Sequence, residues 1–556
     1  MALSSAQLDE TPDQLGAYPR LSDDQLAALM AVGEERSTAP GDVLYREGDE
    51  GYDFYVVLEG KVAMIDTNES GETLIAIHGP RRFLGELGVL VGQPAFFTAR
   101  VVEPGAALRV PAERVRERVA EDPALGDIIL RAFLQRRSIL IGLGAGLRII
   151  GSCYSDDTRR LLEFVARNRL PHRWLDLEED PGAEQLLGQL GVGPDETPIV
   201  LLGGELLRNP STADLARALG LSSPAQQRDV VDLVVVGAGP AGLAAAVYGA
   251  SEGLTTIALD GVAAGGQAAT SARIENYLGF PSGLSGAELA ERARLQAQKF
   301  DATLTVPGEV TALGSRDGHY VLELEQGSPI EARTVIIATG VRYRKLPVPG
   351  LDRFESLSVF HAATIIEARV CADDPVAVVG GGNSAGQAAL FLSRYAADVR
   401  LIVREPSLSA GMSRYLIDRI ERTPAIEVLL DTEVVDAEGG KTLEALVVEN
   451  HRTNERRRIP ANALFVFIGA TPHTSWLGDE VALDEKGFVL TGPAAAAAGG
   501  PRDCMLLETS RPGILAAGDV RSGSIKRVAS AVGEGAMAVR LVHDHFTSVA
   551  RTPAHT

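Results

Sequence analysis

Cysteine is almost absent from this chain of 556 residues: Cys153, Cys371 and Cys504 are the only three, far apart, with no Cys-x-x-Cys anywhere. An odd, scattered set excludes a disulfide framework, removes the usual zinc-ligand spacings and suits a reducing compartment. Long apolar runs are missing as well. The longest, Ile139 to Leu147, is flanked by arginines and falls short of the roughly 20 residues that a membrane span needs. Positive charge is in deficit, 53 Lys and Arg against 74 Asp and Glu, a net −21. Such a chain gains little from phosphate neutralisation, so nucleic acid is not an expected partner. The opening residues, Met1 to Gln14, are polar and acidic and lack the basic-then-apolar pattern of a secretory leader. The cytoplasm is the expected address, with no membrane association.

What is present is ordinary globular material, 45% hydrophobic and 23% charged. At roughly 100–200 residues per domain, the length predicts several domains. Residues 40–110 read as short strands punctuated by Gly60, Gly71, Gly79 and Gly85, the pattern of an all-β roll. From Ala112 to Leu143 the pattern turns helical, with Leu125, Ile128, Ile129, Ala132 and Phe133 on one face. Gly142 to Gly146 reads as a linker. A small α/β segment follows, with strands Leu147–Gly151, His172–Leu177 and Pro198–Leu202 and helices Thr158–Arg169 and Ser211–Leu219. Ser222 to Arg228 reads as a second linker, and the alanine run Ala494–Ala498 before Gly499 as a surface insertion.

From Asp229 onward strands and helices alternate around two glycine-rich turns. In the first, the apolar strand Val231–Val236 runs into Gly237-Ala-Gly-Pro-Ala-Gly242 and a helix, and a second strand ends at Asp260. Gly237 permits a tight turn, Gly239 lets backbone approach a pyrophosphate, and Gly242 lets helix and strand pack closely. The helix N-terminus offers unpaired N–H groups to phosphate, with Pro240 and Ala241 in its first turn. Asp260 is placed to accept bonds from ribose hydroxyls. In the second turn, strand Pro375–Val379 leads into Gly380-Gly-Gly-Asn-Ser-Ala385, with Gly382, Asn383 and Ser384 inside the turn and Ala385 at the third glycine position. Two such units suit hydride transfer from a nicotinamide to a flavin.

These motifs, with Gly265-Gly-Gln267, Glu275-Asn-Tyr-Leu-Gly279, Val335-Ile-Ile-Ala-Thr-Gly340 and Gly513-Ile-Leu-Ala-Ala-Gly-Asp-Val520, resemble the low-molecular-weight thioredoxin reductases. The likeness covers Asp229 to Phe546. It implies bound FAD, with Gly266, Gln267 and Asn276 beside the ring system, Thr339 and Gly340 in the supporting turn, and Gly518 and Asp519 at the ribityl chain. Val528 and Ala529 stand where the family has Gln-Ala. It also implies NADPH or NADH on the second turn, and a homodimer. For NADPH the family resemblance leads one to expect an arginine cluster; here Arg404 is followed by Glu405, and Ser409 replaces a later arginine. Arg404 leaves a slight preference for NADPH, which Glu405 opposes.

The family's Cys-Ala-Thr-Cys is missing. The corresponding stretch reads Val359-Phe-His-Ala-Ala-Thr-Ile-Ile-Glu367, and Cys371 comes several residues too late. Cys371 is read as a small buried hydrophobe in preference to a nucleophile. His361 and Glu367 are the candidate proton donors near the flavin, the alternative for His361 being a packed or solvated ring.

The middle segment resembles a thioredoxin or glutaredoxin fold, with Thr197-Pro198 at the position of that fold's cis-proline. Its redox pair would fall on Ser155-Asp-Asp-Thr158, where neither thiol is present, and Cys153 lies two residues earlier. The N-terminal roll resembles cyclic-nucleotide-binding domains through Tyr45–Gly51, Leu58–Gly60 and Phe83–Leu90. Glu86 stands at the ribose-binding position, but Ala95 replaces the phosphate-clamping arginine and Arg100 is displaced. Phe96 and Phe97 are expected to fill the pocket or form an interface.

The expected fold is therefore multi-domain. It has a cyclic-nucleotide-binding-like β-roll with helices (1–143), a thioredoxin-like α/β domain without redox cysteines (147–222), and a two-dinucleotide-domain Rossmann-like flavoprotein. In the last, FAD-binding halves (229–350 and 469–550) flank an NAD(P)H-binding domain (351–468). The expected activity is hydride transfer from NAD(P)H to FAD and on to an external acceptor: a disulfide, a quinone, an iron–sulfur protein or oxygen. Two alternatives stay open: a flavin- or nucleotide-responsive scaffold, and a cyclic-nucleotide-regulated thioredoxin-disulfide reductase. No metal is expected.

Overall fold

The computed structural model describes residues 9–68, 71–221, 230–271, 274, 277–354, 358–361, 363, 368, 371–440, 442–499 and 504–551. The N-terminal roll is an antiparallel sheet of Glu34–Thr38, Val43–Tyr45, Phe54–Asn68, Gly71–His78 and Thr98–Val110, with the last strand at its centre. The predicted helical stretch is two helices, Ala112–Glu121 and Pro123–Leu143, because Asp122 and Pro123 restart it. The Asp122 carboxylate accepts the N–H groups of Ala124 and Leu125, and proline occupies a first-turn position where its missing N–H costs nothing. Leu125, Ile129, Ala132, Phe133 and Leu140 are buried as the periodicity implies, but so are Arg136 and Arg137.

The expected linker at 142–146 is corrected. The helix runs through Leu143, Gly144 closes it at φ +60°, and Ala145 is buried before the strand Leu147–Gly151 begins. Leu140, Ala145, Leu147, Phe164 and Val200 belong to one apolar core with the roll, so a glycine-rich composition here marks a helix cap and not a tether. In the middle segment, Leu147–Gly151 pairs in parallel with His172–Asp176 and antiparallel with Ile199–Leu202. Strand Glu205–Arg208 and helix Pro181–Leu190, neither anticipated, complete it beside helices Asp156–Arg167 and Thr212–Ala218. The Thr197-Pro198 peptide is cis. Ser155 caps helix Asp156–Arg167, and Thr158 is buried against Gly151 and Pro198.

The reductase-like half carries two parallel-centred sheets. One runs Thr303–Thr305, Thr256–Leu259, Val231–Val236, Ile330–Ile337, His319–Leu324, Val310–Arg316, and Ile514–Ala516 from far down the chain pairs with Ile330–Ile337. The other orders Val359–Phe360, Ala463–Val466, Pro375–Val379, Asp398–Ile402, Ile426–Leu429, all parallel. Val341–Tyr343 and Ala470–Pro472 pair antiparallel as the connection between them. The alanine run expected as a surface insertion forms helix Gly492–Ala497 with Gly492 and Ala495 buried. Among the described residues no helix is long and apolar enough to cross a membrane.

Roll and middle segment meet at backbone distance: a Cβ on Gly48 would lie 2.6 Å from the Cα of Gly203. Glu47 is caught in this junction beside Asp66, Arg148 and the N–H groups of Gly203 and Thr67. Burial, helped by Asp66, outweighs the favourable partners and pushes its carboxyl from 4.5 up to about 7. A carboxyl raised on folding stabilises the fold fully below its unfolded value and loses that contribution as pH rises. The Glu47→Gln protein is therefore expected to melt increasingly above the native protein as pH rises from 4.5 to about 7, then to hold that lead. Thermal melts across this range, showing a constant difference, would contradict the placement.

Candidate functional site

The first glycine turn lies at the carboxyl ends of the parallel strands Val231–Val236, Thr256–Leu259 and Ile330–Ile337. Gly237 has φ +104°, and a Cβ on it would sit 2.3 Å from the Ala338 carbonyl oxygen. A Cβ on Gly242 would sit 1.7 Å from the Gly237 carbonyl oxygen, so helix Pro240–Ser251 reaches the turn only without a side chain there. Gly239 differs: a Cβ on it meets nothing nearer than the Gly266 Cα at 3.9 Å. The protein leaves that space open beside a helix N-terminus that has no side-chain cap. Unpaired N–H groups over open space are what a pyrophosphate requires.

Asp260 organises the turn. One of its oxygens accepts the Ala238 N–H at 2.8 Å, and the other accepts Val262 N–H at 3.0 Å and Ala263 N–H at 3.1 Å. Burial nevertheless raises its pKa, against the lowering by those amides. An ionised carboxylate offers about four acceptor positions, so one remains for a ribose hydroxyl. Glu309 stands beside it: a Cβ on Gly261 would lie 1.7 Å from the Glu309 Oε2. Glu309 is also 3.5 Å from the His473 Nε2, and the His473 carbonyl accepts the Thr339 hydroxyl at 2.7 Å. Glu309 and His473 carry no motif and flank strands far apart in sequence, Val310–Arg316 and Ala470–Pro472, so reasoning from spacing missed both.

Other predicted residues converge here. Gly265 donates its N–H to the Ala238 carbonyl at 2.6 Å, which sets Gly266 against Gly239. The Gln267 side-chain amide donates to the Val341 carbonyl, tying this loop to the connecting strand. Gly340 follows with φ +64°. Gly518 lies over Ala241, where a Cβ would be 3.0 Å from the alanine's methyl, and donates its N–H to Glu534 at 2.7 Å. Burial raises the pKa of the neighbouring Asp519. Val528 opens the last helix, Val528–Arg551, with Ala529 exposed on it. His361 stacks flat on Tyr343, centroids 5.8 Å apart and planes within 2°. Burial raises the Tyr343 phenol, and the nearby Asp519 carboxylate adds to it. The stacking places the His361 ring beside Tyr343, half-buried. Asn276 and Glu367 lie outside the described residues.

The second turn repeats the geometry on the other sheet. Gly380 has φ +143°, and a Cβ on it would lie 2.4 Å from the Phe467 carbonyl oxygen. Gly382 faces open space and begins helix Asn383–Leu392, again with no side-chain cap. Asn383 accepts the Ser413 N–H at 2.7 Å, Ser384 is exposed, and Ala385 is fully buried. Glu405 leans over the turn: its Oε2 is 2.9 Å from where a Gly381 Cβ would be. Arg404 turns outward, 79% exposed, with its Nε on Glu405 at 2.9 Å. Cys371 is buried behind this module.

In the N-terminal roll, Ala95, Phe96 and Phe97 are wholly buried, and Arg100 points outward onto Glu72. Glu86 is also wholly buried, paired with Arg137 at 2.6 Å.

The pyridine nucleotide-disulphide oxidoreductase family matches residues 231–535, and the cyclic nucleotide-binding domain family matches residues 35–122. Thioredoxin reductase 1 of Saccharomyces cerevisiae is 33% identical over 326 residues, covering 57% of this chain and 98% of that protein. A 34.2 kDa protein in the rubredoxin operon of Clostridium pasteurianum is 30% identical over 316 residues, 57% of this chain and 97% of that one. Among solved structures, thioredoxin reductase from Streptococcus pyogenes MGAS5005 aligns at 30% identity with a TM-score of 0.48, covering 59% of this chain and all of that one.

The glycine geometry separates fold from ligand. Gly239→Ala has no protein atom to strike and a φ of −72° that alanine accepts, so the FAD-free protein is expected to keep its melting temperature while FAD binding is lost. Gly242→Ala forces backbone against backbone and is expected to cost about 1–3 kcal/mol or more of stability. Calorimetry with and without FAD checks both; equal behaviour of the two variants would contradict these roles.

Proposed function

This chain belongs to the pyridine nucleotide-disulphide oxidoreductase family, and we propose that it is a flavin-only reductase: it takes hydride from a nicotinamide nucleotide, NADH in preference, and delivers electrons to an acceptor outside the chain. The observation that carries this reading is the presence of two complete dinucleotide turns in a chain whose three cysteines, Cys153, Cys371 and Cys504, form no Cys-x-x-Cys. Cys371 is buried in the second module, and Cys153 lies before a helix whose redox positions are Ser155 and Thr158.

The residues at the first turn fit FAD. The N–H groups of Gly239 and Ala241 hold the pyrophosphate, Asp260 keeps an acceptor for the ribose, and Asp519 faces the ribityl chain. Gly266 and Gln267 line the ring system, with Gln267 fixed on Val341. Bound FAD supplies the acceptor for a hydride and the store from which electrons leave. His361, held flat on Tyr343, is the proposed proton holder, and Glu367 stays a candidate on sequence grounds. The outlet is an external electron acceptor, a protein among the choices. A homodimer and a cytoplasmic address belong to the same reading.

The nucleotide preference follows from Glu405. A carboxylate hanging over the second turn accepts ribose hydroxyls and repels a 2′-phosphate, and the exposed Arg404 is already engaged by that same carboxylate. This reading departs from the slight preference for NADPH that the sequence leaves once Arg404 and Glu405 are weighed together. The cyclic-nucleotide-regulated alternative is less well supported, because Glu86 already holds an internal cation.

Rapid-mixing measurements of flavin bleaching are expected to favour NADH over NADPH by about tenfold or more in second-order rate constant, which is about 1.4 kcal/mol. Glu405→Gln is expected to narrow the gap by speeding NADPH. Faster reduction by NADPH in the native protein would overturn the preference, and no bleaching by either nucleotide would overturn the reductase reading.

A further inference from the structure

The pocket of the N-terminal roll is filled by the protein itself. Arg137, from helix Pro123–Leu143, enters it and places Nε and Nη2 on one Glu86 oxygen at 2.9 and 2.6 Å, while Nη2 also reaches Gln93 at 2.8 Å. The other Glu86 oxygen accepts the Gly88 N–H at 2.7 Å, and the guanidinium lies 5.4 Å from the centroid of the Phe96 ring. Arg137 and Glu86 have side chains 3% and 0% exposed. The middle segment covers the same corner: a Cβ on Gly220 would lie 2.6 Å from the carbonyl oxygen of Gly92, which ends the short helix Leu87–Val91. A buried ion pair braced by further hydrogen bonds holds its geometry, because breaking it strands a charge away from water.

The two helices after the roll grip helix Gly286–Lys299 of the reductase half. Lys299 donates to the Ala120 carbonyl at 2.8 Å, Arg292 is 3.6 Å from Asp127, and Leu295 packs on the core of the roll. Glu291 faces the same side. Burial opposes its ionisation, but Arg294, Arg137 and Arg169 together hold its pKa low. The other end of this helix is built into the loop after Asp260. Gly286 donates its N–H to Ser271 at 2.8 Å, and a Cβ on it would lie 1.7 Å from the Ala268 carbonyl oxygen. A Cβ on Gly265 would lie 2.4 Å from the Ala290 methyl. Gly265 in turn bonds Ala238 of the first glycine turn at 2.6 Å.

We propose that Arg137 is the roll's permanent internal ligand, and that the roll, so closed, is a clamp positioning the loop Gly265–Ser271 through helix Gly286–Lys299. This rests on the reading that FAD lies on that loop. Arg137, Arg292 and Lys299 are positioning residues, and the roll sets how tightly the flavin loop is held instead of sensing a nucleotide.

Replacing Arg137 alone risks unfolding the roll, so the test uses the full-length double variant Arg292→Ala/Lys299→Ala, with Glu288→Ala, which breaks only the pair Arg292 makes within its own helix, as the control. Hydrogen exchange in helix Gly286–Lys299 is expected to quicken, and the FAD dissociation constant to rise about 5–10-fold, the lower end of ordinary intersite coupling. Lys299→Arg alone is expected to keep native values of both. Millimolar cyclic AMP or cyclic GMP is expected to leave exchange in the roll unchanged. Quicker exchange with native FAD affinity overturns the transmission to the loop, and unchanged exchange in the helix overturns the grip. Protection of the roll by either cyclic nucleotide overturns the internal ligand. Native protein that retains no FAD overturns the flavin reading itself, a result distinguishable because the exchange arm does not depend on flavin.

Discussion

The reductase half depends on one backbone contact, the approach of the loop at Gly265 and Gly266 to the turn at Ala238 and Gly239. A hydrogen bond of 2.6 Å from Gly265 to Ala238 closes it, and a Cβ on Gly266 would lie 3.0 Å from the Gly239 Cα. Strands, helix and loop all end there, so the open space over Gly239 is a by-product of how tightly everything around it is packed. Asp260 completes the arrangement by spending three acceptor positions on the turn's own N–H groups. A site built this way is shaped before any ligand arrives, the condition under which binding loses least to ordering.

Against that intact cofactor machinery, thiol chemistry is missing wherever the resemblances would put it. Ser155 and Thr158 occupy the middle segment's redox positions, and His361 begins the stretch where a Cys-Ala-Thr-Cys belongs. The same substitution of structure for chemistry occurs in the roll, where Arg137 takes up the carboxylate that a ligand would use. On the proposed reading, electrons that enter have no internal dithiol to rest on.

Much of this was legible because glycine spacing is a steric statement. Gly237, Gly242 and Gly380 read correctly from sequence since each sits where a Cβ would strike a carbonyl oxygen. Composition was a poorer guide at Gly142 to Gly146, which reads as a tether and is a helix cap in a shared core. Asp122-Pro123 divided a helix whose apolar period continues across the break. Arg137, Glu309 and His473 could not be found from pattern, because an arginine on a helix face reads as solvated until a carboxylate 51 positions away is folded against it. Sequence alone sets Arg404 against Glu405 without placing either; their contact at 2.9 Å is visible only in the fold.

The central claim is that electrons pass from flavin to the outside without an internal disulfide. The most direct test is an anaerobic titration of FAD-loaded protein with NADH, followed by flavin absorbance and by counting thiols before and after. The account predicts full bleaching at about one nucleotide per FAD, the two-electron capacity of the flavin alone, with no new thiols. A second equivalent consumed, together with two thiols released, would reveal a hidden disulfide and contradict it.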